Sequence, residues 1–287
     1  MADTDADTSH GGWKAYEYYP SMAAAVIFLL LFIVVNLLHT YHLIRTRTWF
    51  FIPLVLGGWF EFLGYIGRAM SAKQSPDWTL GPYVMQSTLL LIAPALFAAS
   101  IYMELGRIIY LVKGQALSII RVNWMTKIFV AGDVLSFLMQ ASGAGIMVKG
   151  SEGTGKGVIL GGLFVQIIFF GFFLISAIFF QRRIGSRPTP QSVDVYIPWR
   201  KHLFALHASS VLILIRSIFR VAEYAGDTDG VLMSSEAFIY IFDGLLMFLV
   251  MLIFVVVHPS EVNCLLGKGT YMTVRGGLGV NAKNMPV

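Results

Sequence analysis

Charge is what this sequence has least of. Only 13% of its 287 residues are Asp, Glu, Lys or Arg, about half the share found in soluble domains, while 56% are apolar and the mean hydropathy is +0.71. The charges fall in short clusters between long apolar runs, which leaves no room for a separate soluble domain. Cysteine is nearly missing: Cys264 alone excludes an intrachain disulfide and any cysteine-based metal cluster. No Asn-x-Ser/Thr sequon occurs, so no glycan is implied. The first 19 residues lack a basic n-region and a cleavage site, so the first apolar run is expected to stay as a helix rather than leave as a signal peptide. The last apolar run, 236–257, has no lysine, which excludes a retinal Schiff base and with it a rhodopsin.

What is present is a set of seven apolar segments near the roughly 20 residues that cross a bilayer. They run over 19–41, 50–69, 83–112, 124–148, 158–181, 202–225 and 236–257. The expected fold is an all-α integral membrane protein of seven transmembrane helices, with a tail over 1–18, a membrane domain over 19–257 and a second tail over 258–287. Pro94 should kink the third helix, its freed carbonyl being satisfied by a neighbouring helix. Alternate connections differ in basic residues. One side carries Arg45, Arg47, Lys113, Arg121, Arg182, Arg183, Arg187, Arg200, Lys201, Lys268, Arg275 and Lys283; the other has Lys14, Lys73, Lys149 and Lys156. The positive-inside rule then places the amino terminus, with Asp3, Asp5 and Asp7, outside and the carboxyl terminus in the cytoplasm. The net charge of +5 therefore marks orientation, and no nucleic-acid partner is expected. Trp13, Trp49, Trp78, Trp124 and Trp199 fall near span ends, as an aromatic belt would place them. Gly64, Gly67, Gly143, Gly145, Gly157 and Gly161 are read as close helix approaches.

Two motifs that suggest chemistry do not hold. GSEGTGKG at 150–157 is one residue short of a phosphate-binding loop. Gly157 replaces the hydroxyl that holds magnesium and no strand precedes it, so a flexible glycine-rich turn is the expectation. His202 and His207 lie five apart, on different helix faces, without a partnering HxxxH pattern. No metal or cofactor is expected, His207 being the one haem candidate, and His39 and His202 read as interfacial. His258-Pro259 reads as a helix stop.

The ionisable residues inside the spans carry the functional reading, because each costs several kcal/mol unless it faces a packed interior, a partner or water. Arg216, Arg220 and Glu223 share one helix face, as do Glu236 and Asp243, and Asp133 and Gln140. Counted along the helix axes, Glu61, Gln140, Gln166, Arg216 and Asp243 lie at a common depth of about 10–14 Å. Asp133 would lie below them, and Arg68 and Gln86 above. The expected site is an outward-opening polar pocket lined by Glu61, Gln86, Asp133, Gln140, Gln166, Arg216, Arg220, Glu223, Glu236, Tyr240 and Asp243. Glu236 and Asp243 suit an ammonium, and the two arginines suit a phosphate or carboxylate. The alternative is that these groups only fix the packing, which is also the reading for an i, i+3 pair of Glu104 with Arg107.

Four stretches resemble the fungal RTA-like family, also called the lipid-translocating exporter family: QSTLLLIAPALFAASIYMELGRI (86–108), DVLSFLMQASGAG (133–145), RSIFRVAE (216–223), and 236–259 with Tyr240, Asp243 and the closing His258 and Pro259. The resemblance covers nearly the whole chain from the first span to that His-Pro. It implies a plasma-membrane protein linked to export or tolerance of lipophilic compounds such as sphingoid long-chain bases and sterol-like toxins, with some relatives in porphyrin or haem traffic. Family positions carried over are Gln86, Pro94, Tyr102, Glu104, Arg107, Asp133, Gln140, Arg220, Glu223, Glu236 and Asp243. Ser260 departs from the family's usual Gly after the His-Pro. The expected partners are a lipid-like amphiphile and the bilayer, and no enzymatic activity is expected. A seven-helix sensor or receptor and a porphyrin-binding protein are the alternatives.

Overall fold

A computed structural model of the chain describes residues 20–75, 78–148, 150–226, 236–268, 271–274 and 277–281. The tail over 1–18 lies outside them, and so do Trp13, Lys14 and Lys149. Among the described residues seven helices are long and apolar enough to cross a membrane: α1 Met22–Thr46, α2 Ile52–Lys73, α3 Leu80–Leu111, α4 Val122–Val148, α5 Glu152–Ser186, α6 Trp199–Ala225 and α7 Glu236–Val256. The chain is an integral multi-pass membrane protein. Its first helix starts at Ser21, whose hydroxyl accepts the Ala24 amide at 3.4 Å, and stops at Arg47 in the left-handed region (φ 55°). At the start of α5, Lys156 reaches across to the carbonyl of Gly226, just past α6, at 2.8 Å, satisfying a helix end that has no partner of its own.

Packing follows chain order around a ring. Helices α1 to α7 each contact the next, α7 closes on α1, and α3 also packs against α6. Helix α3 is therefore the inner element, lined by Leu90, Phe97, Ile101, Tyr102 and Ile108, all buried. The opposite extreme is α1, which bares Ile27, Leu30, Val34, Leu37 and Ile44, a stripe that suits hydrocarbon chains. Between helices there is no hydrophobic gain over lipid, so close packing and polar contacts must hold the ring. The α4–α5 seam shows this: a Cβ at Gly143 would lie 2.8 Å from the Gly155 carbonyl oxygen.

Several expectations change here. Of the glycines, Gly64, Gly67, Gly143 and Gly161 do face close neighbours, whereas Gly145 and Gly157 have open space. The segment read as a flexible turn at 150–157 is helical from Glu152 onward; Gly150 alone takes a turn conformation (φ 90°), and the length of α5 is extended by it. Trp49 and Trp124 are exposed at helix ends, but Trp199 is buried and donates Nε1–H to the Ser192 carbonyl at 3.0 Å. His39 and His202 are fully buried rather than interfacial, because each finds an internal partner: the Met251 carbonyl for His39 and two carboxyl groups for His202. The expected Glu104–Arg107 pair does not form. Glu104 faces His202 on α6 at 3.5 Å, while Arg107 donates to Asn263 at 3.0 Å and lies over the Phe50 ring. Past the stop at His258, a short helix α8, Ser260–Leu265, folds back onto the bundle, and an antiparallel hairpin of β1 Tyr271–Val274 and β2 Gly277–Asn281 follows. Among the described residues the tail thus adds two strands to an otherwise helical protein.

Candidate functional site

Helices α2, α6 and α7 bring three arginines and four acids together. On α6, Arg220 donates to Glu223 one turn later at 3.0 Å and to Asp243 of α7 at 2.6 Å. Arg216 pairs through Nε with the other Asp243 oxygen, so one carboxylate is gripped by two guanidinium groups from successive turns. Glu61 of α2 lies within electrostatic reach of Arg216, Arg220 and Asp243 but joins no ion pair among the described residues. Toward the end of the bundle where α1 begins, the fully buried Arg68 of α2 donates to Glu236 at 2.7 Å and to Tyr240 at 2.9 Å. Glu236 in turn accepts the Ser21 amide with both oxygens, at 3.0 and 2.8 Å. It thereby ties the start of α7 to the start of α1 and places a negative charge at a helix N-terminus, where it is stabilised.

Two local features build this arrangement. Pro94 of α3 lacks the N–H that would bond the Leu90 carbonyl, and Arg216 Nη2 supplies the missing donor at 2.8 Å. Arg216 is thus held by the backbone of one helix and the carboxylate of another. The second feature is in α7, which turns π-helical over Tyr240–Leu245. Such single turns insert a residue and recur at functional sites. This one rotates Asp243 toward α6 while Glu236 and Tyr240 stay on α2. Gly244 inside it has no room for a side chain, since a Cβ would strike the Tyr65 hydroxyl and Phe28. Tyr65, Phe28, Phe32 and Tyr240 stack there with ring centroids 5.1–6.1 Å apart where they pair.

The remaining candidates form a separate group. Gln140 of α4 donates to Ser136 at 2.7 Å and to Gln166 of α5 at 3.4 Å, and Ser136 donates to the Gly162 carbonyl at 2.7 Å. These residues close the α4–α5 seam. Asp133 accepts the Tyr102 hydroxyl at 3.0 Å among the rings of Phe129, Phe170 and Phe173. The level expected to be continuous is therefore divided: Glu61, Arg216 and Asp243 lie on one side, with Arg220 and Glu223 beside them, and Gln140 and Gln166 on the other. Gln86 is buried in the second turn of α3. His207 donates Nδ1–H to the Leu203 carbonyl of its own helix at 2.7 Å. Sequence reasoning missed Arg68 as the partner of Glu236, and Leu90 as the partner of Arg216. The Pro94 in α3 was the signal for the second.

A family model described as RTA1 like protein matches residues 54–264, which includes every charged residue of the α2, α6 and α7 cluster. The chain is 40% identical to Protoporphyrin uptake protein 1 of Saccharomyces cerevisiae, over 86% of this chain and 92% of that one. It is 31% identical to Probable lipid transporter atnI of Emericella nidulans, over 88% and 69%, and 26% identical to Sphingoid long-chain base transporter RSB1 of Saccharomyces cerevisiae, over 84% and 72%. No solved structure gives a significant match.

Proposed function

On the premise that the chain belongs to the RTA1-like family of fungal membrane proteins, we propose that it is a transporter or flippase-like facilitator of amphiphilic lipids, sphingoid long-chain bases and sterol-like toxins among them, and not an enzyme. The observation that carries this reading is the imbalance in the α2, α6 and α7 cluster. Among the described residues three guanidinium groups, on Arg68, Arg216 and Arg220, face four acids, Glu61, Glu223, Glu236 and Asp243. Packing alone is served by balanced pairs. One acid beyond balance leaves a place for a cation, and an ammonium head group or a proton supplies it. The aminoalcohol of a long-chain base is such a head group, with its tail in the apolar gaps between helices. Two relatives bear the names of a lipid transporter and a sphingoid long-chain base transporter, which supports the same class of cargo. In this reading the protein lies in the plasma membrane, with the start of α1 outside and the arginine-rich loops in the cytoplasm.

A second reading, a porphyrin as cargo, is favoured by the relative named for protoporphyrin uptake. Mass spectrometry and absorption spectra of whatever copurifies with the protein separate the two. An amphiphilic amine, lost when Asp243 is changed to Asn, supports the first. A Soret band without any such lipid supports the second and overturns the first.

A further inference from the structure

The connection between α5 and α6 is built for a different ligand. It is not slack chain. Thr189 donates its hydroxyl to the Val112 carbonyl at the end of α3 at 2.6 Å, and accepts the Ser192 amide at 3.2 Å to start the single helical turn Pro190–Val193. Trp199 pins the other end through the Ser192 carbonyl. Asp194 then turns the chain by accepting the Tyr196 amide at 2.9 Å. These bonds enclose a cleft of about 500 Å³ lined by Ile184, Pro188, Ser192, Ile197 and Arg200, among others.

At the cleft and along the adjoining end of α5 stand two kinds of exposed side chain. Arg182, Arg183, Arg187 and Arg200 are exposed, and Arg200 lies 5.4 Å from the Trp199 ring centroid. Lys201 is taken up by Glu261, and the sole acid between 182 and 201 is Asp194. Beside the arginines stand apolar tips with nothing to cover them: Val195 is 93% exposed, Tyr196 83% and Phe204 76%. A water-facing segment seldom holds such side chains bare together, and one buried in hydrocarbon does not carry the four arginines of these two helix ends and their connection. The combination fits the boundary between head groups and acyl chains, where apolar tips enter and guanidinium groups meet phosphates.

We propose that this cleft, whose lining includes Arg200 and Asp194, binds the head group of an anionic phospholipid from the adjoining leaflet, with Arg200 on the phosphate, the exposed Arg187 at the end of α5 adding its positive charge at the rim, and Val195 and Tyr196 inserted among the acyl chains. Guanidinium is the suitable group, since its fork takes a phosphate bidentately. The site lies at the opposite end of the bundle from the Glu236 cluster and does not depend on what the protein transports.

Native mass spectrometry of the full chain, purified in mild detergent with equal phosphatidylcholine and phosphatidylserine, tests it. Phosphatidylserine is expected to stay bound after phosphatidylcholine has been stripped. The double change Arg187→Gln with Arg200→Gln should weaken retention by about tenfold or more, from the loss of two surface cations. Val195→Ser with Tyr196→Ser should weaken it too, while Arg121→Gln, at another loop of the same face, should leave it unchanged. All these residues are exposed, so the variants should keep the wild-type melting temperature. Equal retention of the two lipids overturns the proposal, as does equal loss in the Arg121 variant. Displacement by millimolar glycerophosphate, with the Val195 and Tyr196 variant unaffected, overturns it as well, because the site then takes soluble phosphate and not a lipid.

Discussion

Changing Pro94 to Ala should make part of Arg216 dispensable. In the native chain the Leu90 carbonyl has no helical donor, because residue 94 is proline, and Arg216 Nη2 takes that place at 2.8 Å. An alanine at 94 restores the amide and lets α3 satisfy its own carbonyl. Arg216→Gln in the native background loses this bond and one of the two guanidinium groups on Asp243. Breaking a buried pair costs about 3–5 kcal/mol when the remaining charge is stranded. Asp243 keeps Arg220 at 2.6 Å, so the expected cost is near the lower bound, about 3 kcal/mol. The carbonyl bond accounts for about 0.6–1.7 kcal/mol of it, the range for polar contacts between membrane helices. In the Pro94→Ala background that share is already satisfied, so Arg216→Gln should cost less by the same amount. The four proteins form a double-mutant cycle, read by reversible unfolding of the purified protein in mixed detergent micelles. A coupling under about 0.3 kcal/mol, within the scatter of independent sites, would refute the reasoning and reduce Arg216 to a partner of Asp243 alone.

Other consequences concern packing and pH. Gly143→Val should destabilise the α4–α5 seam by about 1–3 kcal/mol through overpacking, because its Cβ meets the Gly155 carbonyl oxygen at 2.8 Å; Gly145→Ala, in open space, should be neutral in the same thermal melts. Glu261, on α8 outside the spans, is held below its ordinary 4.5: burial alone would push it up, but hydrogen bonds from His202 and Lys201 outweigh that. Its folded value being the lower one, the unfolded state binds the proton first as pH falls. Its stabilisation is therefore complete above about 4.5 and disappears as pH drops through the folded value. Unfolding curves of wild type and Glu261→Gln should differ at neutral pH and converge in acid. A gap that widens in acid would contradict the assignment.

Much of this molecule was legible in its residues because a bilayer leaves few choices. Seven apolar runs became seven helices, and of the acids and arginines read within the second, sixth and seventh spans all but Glu61 pair with one another. The meeting of Arg216 with Asp243 came from counting residues along two helices. That count gives depth and nothing else. It placed Gln140 and Gln166 level with Asp243 without saying that they face each other across the α4–α5 seam. Direction around the helix was harder still for α7, where the π turn at Tyr240–Leu245 shifts the phase with no mark in composition. Buried His202 was misread for a related reason. A histidine near a span end is apolar enough for either position, and its partner Glu261 lies on α8, beyond the stop at His258. Pro94 was the informative residue, since a missing amide demands a donor from elsewhere, and Arg216 is that donor.

The central claim is that the surplus acid in the α2, α6 and α7 cluster receives the head group of an amphiphilic cargo. Its most direct test is the flux of a labelled long-chain aminoalcohol across proteoliposomes containing wild type, Asp243→Asn or Glu61→Gln, each first shown to be folded by its melting curve. Wild type should move the label faster than protein-free liposomes, and both variants should lose at least tenfold of that rate. Unchanged flux in the two variants, or a wild-type rate equal to that of empty liposomes, would contradict it.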